Sequence, residues 1–470
     1  MIGEEVLYLS VAELAEQIKS RKISPVELTQ SYLDRSRKYG PQLNAYAALT
    51  PELAMKQAKR AEDEINAGNY RGLLHGVPYA AKDLLAVPGY PTTWGAKPLV
   101  KQNFDYTAAV IQKLEDAGAV LLGKAAMIEL AGGMGYRFAS ASATGPAKNP
   151  WNTGCWTCGS SSGSGAIVSA ALAAFAIGTE TWGSIICPSS FCGISGLRPT
   201  FGRVSRYGAM ALSYSMDKIG PMTRSVDDCA IVLHAIAGHD ARDKGSLPAG
   251  TAEFTWPDEW KLKRGIRIGV VKKPFGEFSI PAEVQAAFEA AIKVVQSAGA
   301  EIREIELPEG PYETAAGTVI SVEGATAFRD LIESGRIGEL VDPLGKIGAY
   351  VSTVIPGDDF LRAMQIRSVF QKKTKEMFAN VDVITSPTQP IGATTLDTNL
   401  ETGLTFSDPI GGLGNFCGLP AITVPCGFTK EKLPVGIQFV GNVLDEMSVL
   451  VAASTFQSRT DWHKKRPPLA

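Results

Sequence analysis

Only four of the 470 residues are histidine, so a mechanism resting on an imidazole base has few places to stand. Charge of one sign is also lacking. Lys and Arg number 46 against 48 Asp and Glu, for a net charge of −2, which excludes the basic footprint of a nucleic-acid binder. No basic run suits an anionic membrane. The most apolar stretch, Gly165 to Gly178, falls short of the roughly 20 residues a spanning helix needs. The first residues, MIGEEVLYLSVAEL, carry acids where a secretory leader would carry bases, so a cytoplasmic protein is expected. Cysteine is present but odd in number, seven scattered through a long chain, which suggests reduced, buried thiols rather than a disulfide framework. Cys155-Trp-Thr-Cys158 has C-x-x-C spacing but no second pair at zinc-ligand distance, so neither a redox centre nor a metal site is expected there.

What remains is a globular composition, 45% hydrophobic and 20% charged, able to bury a large core. Helix starts are clear near the N-terminus: Ser10 with Glu13 forms one possible capping box, and Ser24, Pro25 and Glu27 mark another start. Residues 76–86, GVPYAAKDLLA, read as a strand ending at Lys82. Helix-then-strand units follow at 107–124 and 281–307, with apolar strands at 266–271, 381–386 and 421–425. This alternation predicts an α/β fold with a mixed central sheet covered by helices on both faces. We expect one large domain over 1–470: a helical scaffold at 1–65, a core at 66–250, a more variable substrate-side region at 251–400 with polar and irregular patches from about 308 to 380, and a return to the sheet at 401–470.

Two motifs match well-known patterns for the wrong reasons. Gly118 to Lys124 resembles a phosphate loop, but its interior is a buried-strand sequence and Ala125 replaces the metal-binding hydroxyl. Gly159-Ser-Ser-Ser-Gly163 has G-x-S-x-G spacing. That nucleophile elbow requires a preceding strand and a histidine base, whereas NPWNTGCWTC before it reads as a loop. His75, His234, His239 and His463 read better as surface or capping residues.

A desolvated lysine can replace histidine as the base, because burial disfavours its charged form. Lys82, in apolar company, is the candidate. Together with CGSSSGSGA at 158–166, GTETWGSIICPSSFCGISGLRPTFGRVSR at 178–206, CGLPAITVPCG at 417–427 and LPVGIQFVG at 433–441, the lysine segment resembles the amidase signature family over most of the chain. The resemblance implies Ser184 as nucleophile, Ser160 as bridging serine joined to Gly159 by a cis peptide, and Lys82 as base. It also implies an oxyanion hole from the backbone N–H groups of Thr181, Trp182, Gly183 and Ser184, with no metal or organic cofactor. Ser161, Ser162 and Ser164 then serve to hold the loop, and Met127, Gly132, Gly133, Met134, Tyr136 and Ile186 are candidate pocket residues.

The chain departs from the family at the nucleophile, where Trp182 replaces a glycine, Ile186 an arginine and Glu180 an aspartate. We infer a more apolar setting and expect hydrolysis of a neutral amide, aryl or bulky, with carbamates and esters as related substrates. The expected partner is therefore a small molecule, with no nucleic acid and no membrane, acting on a monomer or homodimer. The alternative is the ammonia-releasing component of a glutamine-dependent aminoacyl-tRNA amidotransferase. Asp408, seven residues before Asn415, falls where such proteins bind glutamine, but the region of Lys346 and Ile347 lacks their arginine.

Overall fold

In a computed structural model, residues 2–255 and 265–469 are described. Among them, eleven strands form one mixed sheet. From one edge to the other the order is Tyr46–Leu49, Val120–Ala125, Pro78–Lys82, Phe175–Glu180, Lys218–Thr223, Ser195–Arg198, Ala421–Phe428, Pro434–Gly441, Val383–Pro387, Arg267–Val271 and Glu301–Ile305. Parallel pairs lie towards the two ends of the sheet. The middle, from Phe175–Glu180 through Val383–Pro387, is antiparallel throughout. The strands Pro78–Lys82, Val120–Ala125 and Phe175–Glu180 are buried at every position, as their unbroken runs of small and branched apolar residues require when helices cover both faces.

The predicted N-terminal helices form with their caps in place. Ser10 and Glu13 satisfy each other's backbone donors at the start of Val11–Lys19. Ser24 accepts from Val26 and Glu27 ahead of Pro25–Leu43. Beyond residue 308 the expectation of irregular structure is overturned. Tyr312–Ala327, Pro343–Thr353 and Gly357–Met377 are helices, the last of 21 residues. Their polar faces look irregular in sequence because they lie on the outside, with only a narrow stripe (Ala363, Arg367, Phe370, Thr374) buried on Gly357–Met377.

A second correction concerns the residues before the serine loop. Lys148–Asn149 and Asn152–Trp156 pair as a small antiparallel ribbon separate from the main sheet. A third concerns the thiols: Cys158 and Cys187 form a disulfide, and the other five cysteines are free and buried. The expectation that all seven are reduced fails because the two partners lie 29 residues apart in sequence, one before the serine loop and the other just after Ser184, and only the fold brings them together. Cys155, the other half of the C-x-x-C, takes no part.

Candidate active site

The site is built where two neighbouring parallel strands end. Pro78–Lys82 and Phe175–Glu180 pair through Tyr79, Ala80 and Ala81, a register that carries Lys82 to the level of Gly178, next to Thr179. Between them in sequence, the loop Cys158–Ser161 leads into the helix Ser162–Ser169, and Gly159–Ser160 is a cis peptide. The loop is pinned from several sides. Gly163 N donates to Ala126 O at 2.8 Å, and a Cβ there would meet Ala45 O at 2.3 Å, so only glycine fits. Ser161 Oγ donates to Thr179 O and accepts from Thr179 N, and Ser164 Oγ donates to Ile177 O. Both of these hydroxyls hold the loop, as expected.

Lys82 is fully buried. Its Nζ donates to Ser160 Oγ at 2.7 Å, to Thr179 Oγ1 at 2.9 Å and to Thr179 O at 3.3 Å. Burial lowers its pKa to about 7, against the opposing pull of the Asp217 and Glu180 carboxylates. A lysine so placed is partly neutral near pH 7 and can accept a proton from Ser160. Ser184 is buried at the turn that follows Phe175–Glu180. Its carbonyl accepts from Ser161 N, while among the described residues no hydrogen bond engages its hydroxyl. The backbone N–H groups of Trp182, Gly183 and Ser184 are likewise without acceptors among the described residues. Gly183 has φ +77°, and a Cβ there would meet nothing within 4 Å, so the turn faces open space.

Glu180 fixes this turn. Its Oε2 accepts from Ile185 N and Ile186 N at 2.8 and 3.0 Å, ahead of the short helix Ile186–Cys192, and its Oε1 accepts from Arg198 and Asn415 at 2.7 and 3.0 Å. Burial acts to raise its pKa, but Arg198, Lys218 and the amides outweigh it and hold the carboxyl at about 2. Thr181 Oγ1 donates to Asp217, whose other oxygen accepts from Leu212 N and Ser213 N.

The expected pocket residues divide. Met127 and Ile186 are core. Gly132 packs on Tyr136, Gly133 on Leu212 and Met134 on Gly324. A cavity of about 190 Å³ lies beside them, lined by Leu84, Ala131, Thr179, Thr181, Met210, Leu212 and Asp217 among others, and by none of the six expected residues. Sequence reasoning missed Thr179, Asp217 and Arg198. Thr179 near the end of its strand and Thr181 just beyond it both line that cavity.

The histidines lie elsewhere. His75 Nδ1 accepts from Arg71 N, His234 and His239 bond to the carbonyls of Phe254 and Leu247, and His463 sits beside Asp461 and Lys464. Lys124, from the false phosphate loop, is paired with Asp83 at 3.0 Å, both fully buried.

A lysine, a cis-joined serine and a second serine at a strand-to-helix turn coincide with a match to the amidase family model over residues 27–450. The chain belongs to the amidase signature family. Among its relatives is the A subunit of the glutamyl-tRNA(Gln) amidotransferase from Acinetobacter baumannii (strain AYE), 37% identical over 98% of both chains. The peptide amidase of Stenotrophomonas maltophilia superposes with a TM-score of 0.84 at 30% identity, covering 98% of each chain. A bacterial aryl acylamidase gives 0.86 at 25% identity, covering 98% of this chain and 99% of its own. Like these family members, the protein is an enzyme that acts on amide C–N bonds. Among the described residues no helix is long and apolar enough to cross a membrane.

Proposed function

We propose that the protein hydrolyses the C–N bond of a neutral amide, aryl or bulky, through an acyl-enzyme on Ser184, with carbamates and esters as further substrates. The observation that carries this reading is the buried Lys82 Nζ, 2.7 Å from Ser160 Oγ, with its pKa near 7. Neutral Lys82 takes the Ser160 proton and Ser160 takes that of Ser184, whose Oγ bonds to the substrate carbonyl carbon. The resulting oxyanion is met by the N–H groups of Thr181, Trp182, Gly183 and Ser184; one such donor is worth about 3–4 kcal/mol of barrier. The proton returns through Ser160 to the nitrogen, the C–N bond breaks, and the amine leaves. Water, deprotonated along the same path, then releases the acid and restores Ser184.

A second reading, the ammonia-releasing component of a glutamine-dependent amidotransferase that works on charged tRNA, is favoured by the Acinetobacter relative and its 37% identity. Against it, the Asp408 carboxylate already bonds to Trp182. The test is a panel of aliphatic amides, anilides, carbamates, esters and glutamine, with mass spectrometry for a Ser184 adduct. Turnover of neutral amides by the chain alone, abolished in Ser184→Ala, is expected. Robust turnover in that variant overturns the nucleophile, and glutaminase activity dependent on an added partner supports the second reading.

A further inference from the structure

The residue least accounted for by catalysis is Trp182, two positions before the nucleophile. Its indole Nε1 donates to Asp408 Oδ2 at 2.9 Å, across 226 residues of sequence. The ring lies against the first turn of the helix Pro409–Phe416, where a Cβ at Gly412 would stand 3.0 Å from ring atom Cζ2. Its apolar body joins a cluster containing Ile186, Tyr312, Leu413 and Phe416.

Asp408 is occupied on both oxygens by neutral donors, Oδ2 by the indole and Oδ1 by Gly411 N at 3.0 Å. Its own N–H donates to Glu313 Oε1 at 2.9 Å. The charges that act on it, from Glu313 and Glu180, are acidic, and among the described residues no lysine or arginine pairs with it. Glu180 is matched by Arg198, whereas Asp408 has only neutral donors among the described residues, and a carboxylate held in that way is where a substrate ammonium gains most. Here the donor that reaches it is uncharged, fixed and part of the protein.

We propose that Trp182 is a specificity-determining plug: by occupying the Asp408 carboxylate it makes the site select amides that lack a cationic group near the scissile carbonyl over amides that carry one. The proposal deepens the amide-hydrolase reading and rests on Ser184 marking the reacting carbonyl. A substrate with an α-ammonium must displace the indole from both its hydrogen bond and its apolar bed, whereas an alkyl or aryl acyl group lies against the ring and leaves the bond intact. The plug is specific to tryptophan in two respects, the ring that fills the space over Gly412 and the N–H that satisfies the acid.

Binding separates this from turnover. In a Ser184→Ala background, calorimetry compares 3-methylbutanamide with valinamide, which differ by the α-ammonium alone. With Trp182 present, the neutral amide is expected to bind at least tenfold tighter. Trp182→Gly should move the ratio at least tenfold towards valinamide, and adding Asp408→Asn should cancel that shift. Trp182→Phe keeps a ring over Gly412 but frees Asp408 Oδ2, so it should move the ratio towards valinamide by less than Trp182→Gly does, which guards against a glycine variant that folds poorly by circular dichroism. Preference for valinamide with Trp182 intact, an equal change for both ligands in Trp182→Gly, or no binding of either ligand to any variant overturns the proposal. Turnover surviving in Ser184→Ala would sink the nucleophile instead, and the binding ratio would still report on Trp182.

Discussion

Lys82 and Lys124 sit on adjacent parallel strands, both fully buried, and they illustrate two fates of an enclosed ammonium. Lys124 has a carboxylate at 3.0 Å, whereas Lys82 has only hydroxyls and a carbonyl. Burial lowers the pKa of both, against the pull of Asp83 for Lys124, and brings the unpaired Lys82 to about 7. Because the base must be unprotonated, kcat/KM should rise about tenfold per pH unit below 7 and level off above it. The same shift has a stability cost. In the unfolded chain this lysine ionises near 10.5, so folding is penalised increasingly as pH falls from there to about 7, and by a constant amount below. Lys82→Met should therefore lower turnover by about 10²–10⁴-fold yet unfold at higher urea than the parent, with a larger advantage at pH 6 than at pH 9. An advantage that grows with pH would contradict the depressed pKa. Lys82 stands out in the sequence as a candidate because its neighbours are apolar, and it is the family resemblance that implies its role as base. Thr179 does not stand out, since a threonine in a strand is ordinary β composition.

At the scale of elements, the turn that carries Ser184, the proposed nucleophile, depends on one carboxylate. The helix Ile186–Cys192 has only seven residues and no side-chain cap at Ile185, so Glu180, reaching forward from the preceding strand, supplies the missing acceptor for its first amides. Glu180 also neutralises Arg198, buried to 2% exposure, and takes a bond from Asn415. Glu180→Gln keeps the shape but leaves the Arg198 guanidinium uncompensated. A buried pair broken on one side costs about 3–5 kcal/mol, so urea unfolding should show a loss of that order together with a fall in kcat. An unchanged midpoint would mean that the ion pair does not anchor the turn. The elements themselves were legible where periodicity was strong, as in Ala282–Ser297 followed by Glu301–Ile305. They were illegible where burial was shallow, as in the helices after residue 311, or where a ribbon was only a few residues long, as at Asn152–Trp156.

Across the whole molecule, the site lies at a seam. Among the described residues of the main sheet, the strands before residue 224 and those after 266 meet where Ser195–Arg198 pairs with Ala421–Phe428. Glu180–Asn415 and Trp182–Asp408 cross that seam beside the Ser184 turn. Neither half alone completes the turn's support, and long-range pairing of this kind lies beyond any sequence window, as does the Cys158–Cys187 link, whose partners flank Ser160 and Ser184. The core continues through the sheet, so the chain should unfold as one unit, with tryptophan fluorescence and far-ultraviolet circular dichroism tracing the same urea transition. Reduction should leave that transition single but move it. Closing a loop of 29 residues restricts the unfolded chain by about 3–4 kcal/mol in the chain-entropy account, and the reduced protein, with seven titratable thiols in place of five, should be less stable by up to that amount. Seven thiols in the untreated protein would remove the link, and two separate transitions would show that the halves fold independently and meet at the site only afterwards.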